Sequence, residues 1–184
     1  MTGGRLVLVV GPSGAGKDTL LRCAEAALRD DGRFRFVRRV ITRAGGDPNE
    51  DHVALSLEEF VKRERAGDFA LAWRAHGLCY ALPGCVDTLL AESRVVVANV
   101  SRGVVGQARN RFGRVGVIHV TASTRTRARR LAGRGRESRD ERLRRLARTV
   151  EDPVPGPDVR VLDNDGPLDR AVGTMVTMLV ALAA

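Results

Sequence analysis

Lysine is almost missing from this sequence: Lys17 and Lys62 stand against 29 arginines. Arginine fills nearly every cationic position, so a lysine inside a glycine-rich loop marks a chemical need. A compact, flexible ammonium reaches between phosphates where a planar guanidinium does not fit. Cysteine is scarce too. Cys23, Cys79 and Cys85 are odd in number and lack metal-ligand spacing, which argues against a disulfide framework or a zinc site and for a reducing cytoplasm. No apolar run reaches ~18 residues, so no membrane partner is expected. Aromatic residues make up 4% of the chain, and none lies in its most basic segment. That segment, Arg125 to Arg148, holds eleven arginines against three acids and accounts for nearly all of the net charge of +9. Binders of single-stranded nucleic acid stack bases on aromatic side chains. The charge therefore reads as a phosphate clamp, and no nucleic-acid partner is expected.

What is present is an alternation of strands and helices. The 184 residues suffice for one domain with a substantial core. Short β-branched runs predict strands over 5–10, 34–41, 94–100, 115–120 and 159–162. The N-terminal run is read as the first of these strands and not as a signal peptide. Helical spacing predicts helices over 17–29, 56–65, 84–92, 104–111, 124–131, 139–150 and 168–181. Ser56-Leu57-Glu58-Glu59 has the form of a capping box. The expectation is an α/β chain: a five-stranded parallel sheet, the first strand central, with helices on both faces. The single domain 1–184 divides into a core (1–42, 84–132 and 142–184), an excursion over 43–83 and an arginine-rich lid over 133–141. Both departures from the core are expected to rise from strand ends where ligands bind.

Residues 11–19 read GPSGAGKDT, a GxxxxGK pattern that follows a strand and opens a helix. Gly11, Gly14 and Gly16 allow a tight turn and close approach to phosphate, and the loop N–H groups with the helix N-terminus cradle anionic oxygens. Lys17 then reaches the β- and γ-phosphates of a nucleotide. Two departures stand out. The residue after the lysine is ordinarily a Ser or Thr that ligates Mg²⁺, whereas here it is Asp18, followed by Thr19. The strand over 94–100 ends Asn99-Val100-Ser101-Arg102 and offers no acid as a second metal ligand. Asp18 is accordingly read as the carboxylate that serves Mg²⁺, against the plainer role of an acid favoured by a helix N-terminus.

These residues together resemble the guanylate kinase-like branch of the nucleoside monophosphate kinases. Within that branch they look most like the ribose 1,5-bisphosphate phosphokinases of bacterial phosphonate catabolism. The resemblance runs through GPSGAGKDT, RRVITR at 38–43, NEDHVALSLEEF at 49–60, LAWRAHGLCY at 71–80, VVVANVSRGV at 95–104, RLAGRGRES at 130–138 and LDNDG at 162–166. It implies a P-loop kinase fold, ATP with Mg²⁺, and a sugar-phosphate acceptor. Gly11, Pro12, Ser13, Gly14, Ala15, Gly16, Lys17, Asp18, Thr19, Arg130 and Asn164 would bind ATP, the loop 11–18 at its phosphates and Asn164 where the family contacts adenine. Arg39, Arg43, Glu50, His52, Tyr80 and Arg102 would line the acceptor site. Lys17, Arg134 and Arg145 would act on the transferring group, and Asp18 on the metal.

Guanylate kinases carry an acid, between the residues matching Trp73 and His76, that reads guanine; this chain has Arg74 and Ala75 there. Guanine N–H groups lose their acceptor, and lost hydrogen-bond complementarity can change selectivity by orders of magnitude. The added charge of Arg74 is read as suiting a more anionic, base-free acceptor. The leading expectation is ATP-dependent phosphorylation of ribose 1,5-bisphosphate to 5-phospho-α-D-ribose 1-diphosphate. A guanylate-type kinase and a non-catalytic guanylate kinase-like binding module are the alternatives, and oligomeric state is left open. Trp73 and the phenylalanines read as core, and His119 as a core or edge residue.

Overall fold

The computed structural model describes residues 3–43, 52–132 and 154–184. β1 (Arg5–Val10) is buried on both faces, which is why its sequence is a continuous apolar run and not an alternation. It is central in a parallel sheet of order β2-β7-β1-β8-β9, with β2 (Phe34–Val37), β7 (Val95–Asn99), β8 (Val115–Thr121) and β9 (Val159–Asp163). On one face Val7 and Val9 meet Leu20 and Ala24 of α1 (Lys17–Ala27) and Met175 and Leu179 of the C-terminal helix over 168–182. On the other, Leu6, Leu8 and Val10 meet Val86 of α3 (Cys85–Ala91) and Val105 and Ala108 of α4 (Val105–Arg111). Each buried valine, leucine or methionine among them contributes about 1.5–3 kcal/mol. The expected sheet, its central strand and its two helical layers are therefore all present.

The strand expected over 34–41 is instead two. β2 stays with β7 in the parallel sheet, and after Arg38 the chain leaves as β3 (Arg39–Ile41) for a second sheet. That sheet has the order β4-β3-β6-β5, with β4 (His52–Ala54), β5 (Phe69–Ala75) and β6 (Leu78–Pro83). β5 and β6 form a hairpin closed by His76 and Gly77, whose φ values of 55° and 74° match the tight turn that suits strand twist. The expected helix over 56–65 is α2 (Leu57–Ala66). Ser56 Oγ accepts from Glu59 N at 3.1 Å, and Gly67 ends the helix at φ 78°.

The small sheet serves two neighbours by alternation. Leu71, Trp73 and Leu82 join the core beneath the parallel sheet, with Tyr80 packed against it. Cys79 and Ala81 turn the other way, onto Phe60 of α2. α5 (Thr124–Ala132) follows β8, and the C-terminal helix, α6 (Leu168–Leu182), follows β9. No helix among the described residues is long and apolar enough to cross a membrane.

Candidate active site

The loop between β1 and α1 lies where strand order reverses around β1, the crevice in which open α/β sheets bind ligands. Its glycines are dictated by neighbours. A side chain at Gly11 (φ 143°) would run into the Val120 carbonyl. One at Gly16 (φ 90°) would stand 2.6 Å from Asn164 Nδ2. Lys17 Nζ donates to the carbonyls of Gly11 (2.8 Å) and Pro12 (3.1 Å), so the ammonium folds back over the loop it serves. Ala15 is fully buried, while Pro12, Ser13, Asp18 and Thr19 are partly exposed.

Asn164 and Arg130 brace this loop from behind. Asn164 Nδ2 donates to the Ala15 carbonyl at 2.7 Å. Arg130 donates to the Asn164 carbonyl at 2.8 Å and to the Ala15 carbonyl at 3.3 Å. Asn164 is 2% exposed, and its side chain supports the loop. Asp165, next in the chain, accepts from Ser123 N and Ser123 Oγ at the start of α5. A side-chain bond from Thr126 first, and then those from Ser123, hold its carboxyl below its ordinary value. Loop, β9 end and α5 thus form one hydrogen-bonded unit.

Across the crevice, Asn99 ends β7 and its Nδ2 donates to Asp18 Oδ1 at 2.6 Å. The two line a cleft of about 250 Å³ with Arg22, Glu25, Arg38 and Arg39. The described residues hold no group of three or more His, Cys, Asp or Glu able to bind a metal ion. A cation beside Asp18 would therefore take most of its ligands from substrate oxygens and water.

Tyr80 stacks on Trp73 at 5.6 Å with an interplanar angle of 10°, and the Arg39 guanidinium lies 6.0 Å from the Tyr80 ring centre. Trp73, read from sequence as core, is indeed 8% exposed, but its Nε1 also donates to Ser101 Oγ at 3.0 Å. That bond ties the small sheet to the chain leaving β7. Arg43, His52 and Arg102 are partly buried. His119 is 9% exposed at the end of β8. Burial first, then the charges of Arg102 and Lys17, lower its pKa and keep the imidazole neutral.

One expectation is corrected. Arg74 lies on the opposite face of β5 from Trp73 and makes a two-pronged ion pair with Glu64 of α2, at 2.9 and 2.6 Å. Its charge is spent there and does not enter the cleft. Glu50, Arg134, Arg145, the lid over 133–141 and the helix expected over 139–150 lie outside the described residues. Sequence reasoning undervalued Ser101 and Asn99. The signal for Asn99 was available, in an acid after the lysine coinciding with an amide where a strand-end acid is usual.

Comparison with known proteins agrees with this architecture. A family described as AAA domain matches residues 7–151. A ribose 1,5-bisphosphate phosphokinase of Methylobacterium radiotolerans is 49% identical over 178 residues, 97% of this chain and 98% of its own. One from Brucella melitensis is 48% identical over 163 residues, 89% of this chain and 85% of its own. Among solved structures, guanylate kinase from Anaplasma phagocytophilum superposes with a TM-score of 0.68 at 15% identity, covering 97% of this chain and 86% of that one. A gluconokinase from Sinorhizobium meliloti superposes at 0.57 with 20% identity, covering 99% and 94%.

Proposed function

The chain belongs to the ribose 1,5-bisphosphate phosphokinases and is an ATP-dependent phosphotransferase; from that premise we propose how its residues divide the work. The γ-phosphoryl group of ATP passes to the 1-phosphate of ribose 1,5-bisphosphate. The bond from γ-phosphorus to the β,γ-bridging oxygen breaks, a bond to a 1-phosphate oxygen forms, and ADP and the 1-diphosphate leave. Little covalent help is needed, so positioning and charge stabilisation carry the rate.

In this reading the loop over 11–19 holds the triphosphate with its backbone N–H groups. Lys17 exchanges its two carbonyl partners for phosphate oxygens. Those bonds at 2.8 and 3.1 Å support the role, because they hold the ammonium in place before substrate arrives. Arg130 and Asn164 act by bracing the loop beneath the nucleotide. Arg39, Arg43, His52, Tyr80 and Arg102 hold the acceptor, joined by Glu50 on motif position. Arg134 and Arg145 are assigned on motif position to the charge that builds up during transfer.

Magnesium fits the residues present. Asp18 offers a carboxylate with one oxygen fixed by Asn99, in a cleft that also carries arginines for phosphate. When bound, the ion would draw charge from the β- and γ-phosphate oxygens. The single observation that carries the acceptor reading is membership: 49% identity across 97% of the chain to a kinase of this acceptor. An acceptor panel tests it. With ATP held constant, ribose 1,5-bisphosphate should be turned over at least about a hundred-fold more efficiently than GMP, the scale expected for a site that lacks an acceptor for guanine N–H groups. Equal or better turnover of GMP would favour the guanylate-type alternative.

A further inference from the structure

Asn99 ends β7 at 7% exposure, with the rest of that strand buried and apolar. An amide so placed must find partners, and it finds one in Asp18, at 2.6 Å. A carboxylate only accepts hydrogen bonds, so chemistry alone turns the amide nitrogen toward Asp18 and fixes the orientation of the group. Asn99 Oδ1 then points away, buried, with no hydrogen-bond partner among the described residues. The group that satisfies it must be a donor, such as water. Asp18 Oδ1 is committed to Asn99, and the carboxylate faces the cleft shared with Arg22 and Arg39.

We infer that Asn99 is the positioning residue for Asp18, and that the two are an exchanged pair. The acid ordinarily found at the strand end sits on the loop, and a neutral partner sits at the strand end. The exchange keeps one carboxylate in the crevice while changing the element that carries it. Asn99 fixes the plane of Asp18 and presents its second oxygen toward magnesium. This rests on the reading that Asp18 serves the metal.

The experiment uses the full-length chain with Mn²⁺ as the probe, its binding in the presence of ADP followed by electron paramagnetic resonance, alongside thermal melts. D18N should weaken Mn²⁺ binding by at least about ten-fold. N99A should weaken it by about ten-fold as well, the scale on which residues that orient metal ligands act. ADP binding without metal should stay unchanged in N99A. The double variant D18N/N99D returns an acid to the strand end and an amide to the loop, and should regain most of the lost affinity, a coupling that independent sites do not show. If N99A lowers the melting temperature but leaves the Mn²⁺ curve on the parent's, Asn99 is structural only and the inference is overturned. If D18N itself leaves that curve unmoved, the metal reading of Asp18 fails first. A double variant no better than the worse single variant also contradicts the exchange.

Discussion

The five-stranded sheet is covered by helices on both faces, and the work at its edge is done by a loop tied to the backbone around it. The four-stranded sheet spends one face on the main core and the other on α2, and the residues it offers to a ligand come from strand alternation. The first arrangement makes a rigid phosphate cradle. Gly11 and Gly16 cannot carry side chains, Asn164 and Arg130 fasten Ala15, and Lys17 is held in place. The second makes a platform in which Trp73, Tyr80 and Arg39 stack, joined to the cradle side through the Ser101 hydroxyl. Donor chemistry should therefore respond to changes in the loop, and acceptor choice to changes on the small sheet.

Lys17→Ala attacks the cradle most directly. Turnover should fall by about 10²- to 10³-fold, the scale of losing one preorganised charge at a transition state. The melt should remain cooperative, since the side chain is partly exposed and its bonds to the Gly11 and Pro12 carbonyls stay within the loop. Steady-state kinetics beside calorimetry check both halves, and near-normal turnover would remove the cradle from the mechanism. Tyr80→Phe probes the platform. The stack on Trp73 survives and only the hydroxyl is lost. With the acceptor phosphate, kcat/KM should fall by about ten-fold or somewhat more, as for a hydrogen bond to a charged group, while KM for ATP holds. An equal effect on both substrates would break the division of labour.

The two sheets also differ in how plainly they can be read. Strands buried on both faces announce themselves as runs such as Leu6 to Val10 and Val95 to Ala98. The small sheet is coded by alternation shared between two cores, in strands as short as Val40 and its two neighbours. Its hairpin turns on His76-Gly77, where Asn or Asp would have been the clearer signal. The split at Arg38 was hidden because apolar residues continue on both sides of it while belonging to different sheets. At the site, the P-loop was legible because its spacing follows from phosphate geometry. The face on which Arg74 lies was not, since one position in a strand separates the cleft from α2 and a charge alone does not tell which.

A gentler probe is pH. The pKa of His119 lies below its ordinary 6.5 because of burial and the charges of Arg102 and Lys17. A base with a depressed folded-state pKa leaves the unfolded chain holding more protons in the pH range between that value and the ordinary one. Its contribution is therefore complete above about pH 6.5 and is lost as pH falls toward the folded-state value. Denaturant unfolding from pH 7.5 to 5 should show stability declining below that point, and His119→Gln should flatten the decline. Smallest is Ser56→Ala, which removes the oxygen that caps α2. It should cost about 1 kcal/mol in denaturant unfolding and leave both KM values unchanged. A kinetic effect would mean that α2 communicates with the cleft more directly than the sheet between them suggests.

The central claim is that this cradle and platform together build a diphosphate on a sugar carbon. Phosphorus NMR of a reaction between ATP and ribose 1,5-bisphosphate reads that bond directly. The account predicts two mutually coupled diphosphate resonances on C1, an unaltered 5-phosphate and one equivalent of ADP. Inorganic phosphate appearing in place of the coupled pair, or a new diphosphate at the 5-position, would contradict it.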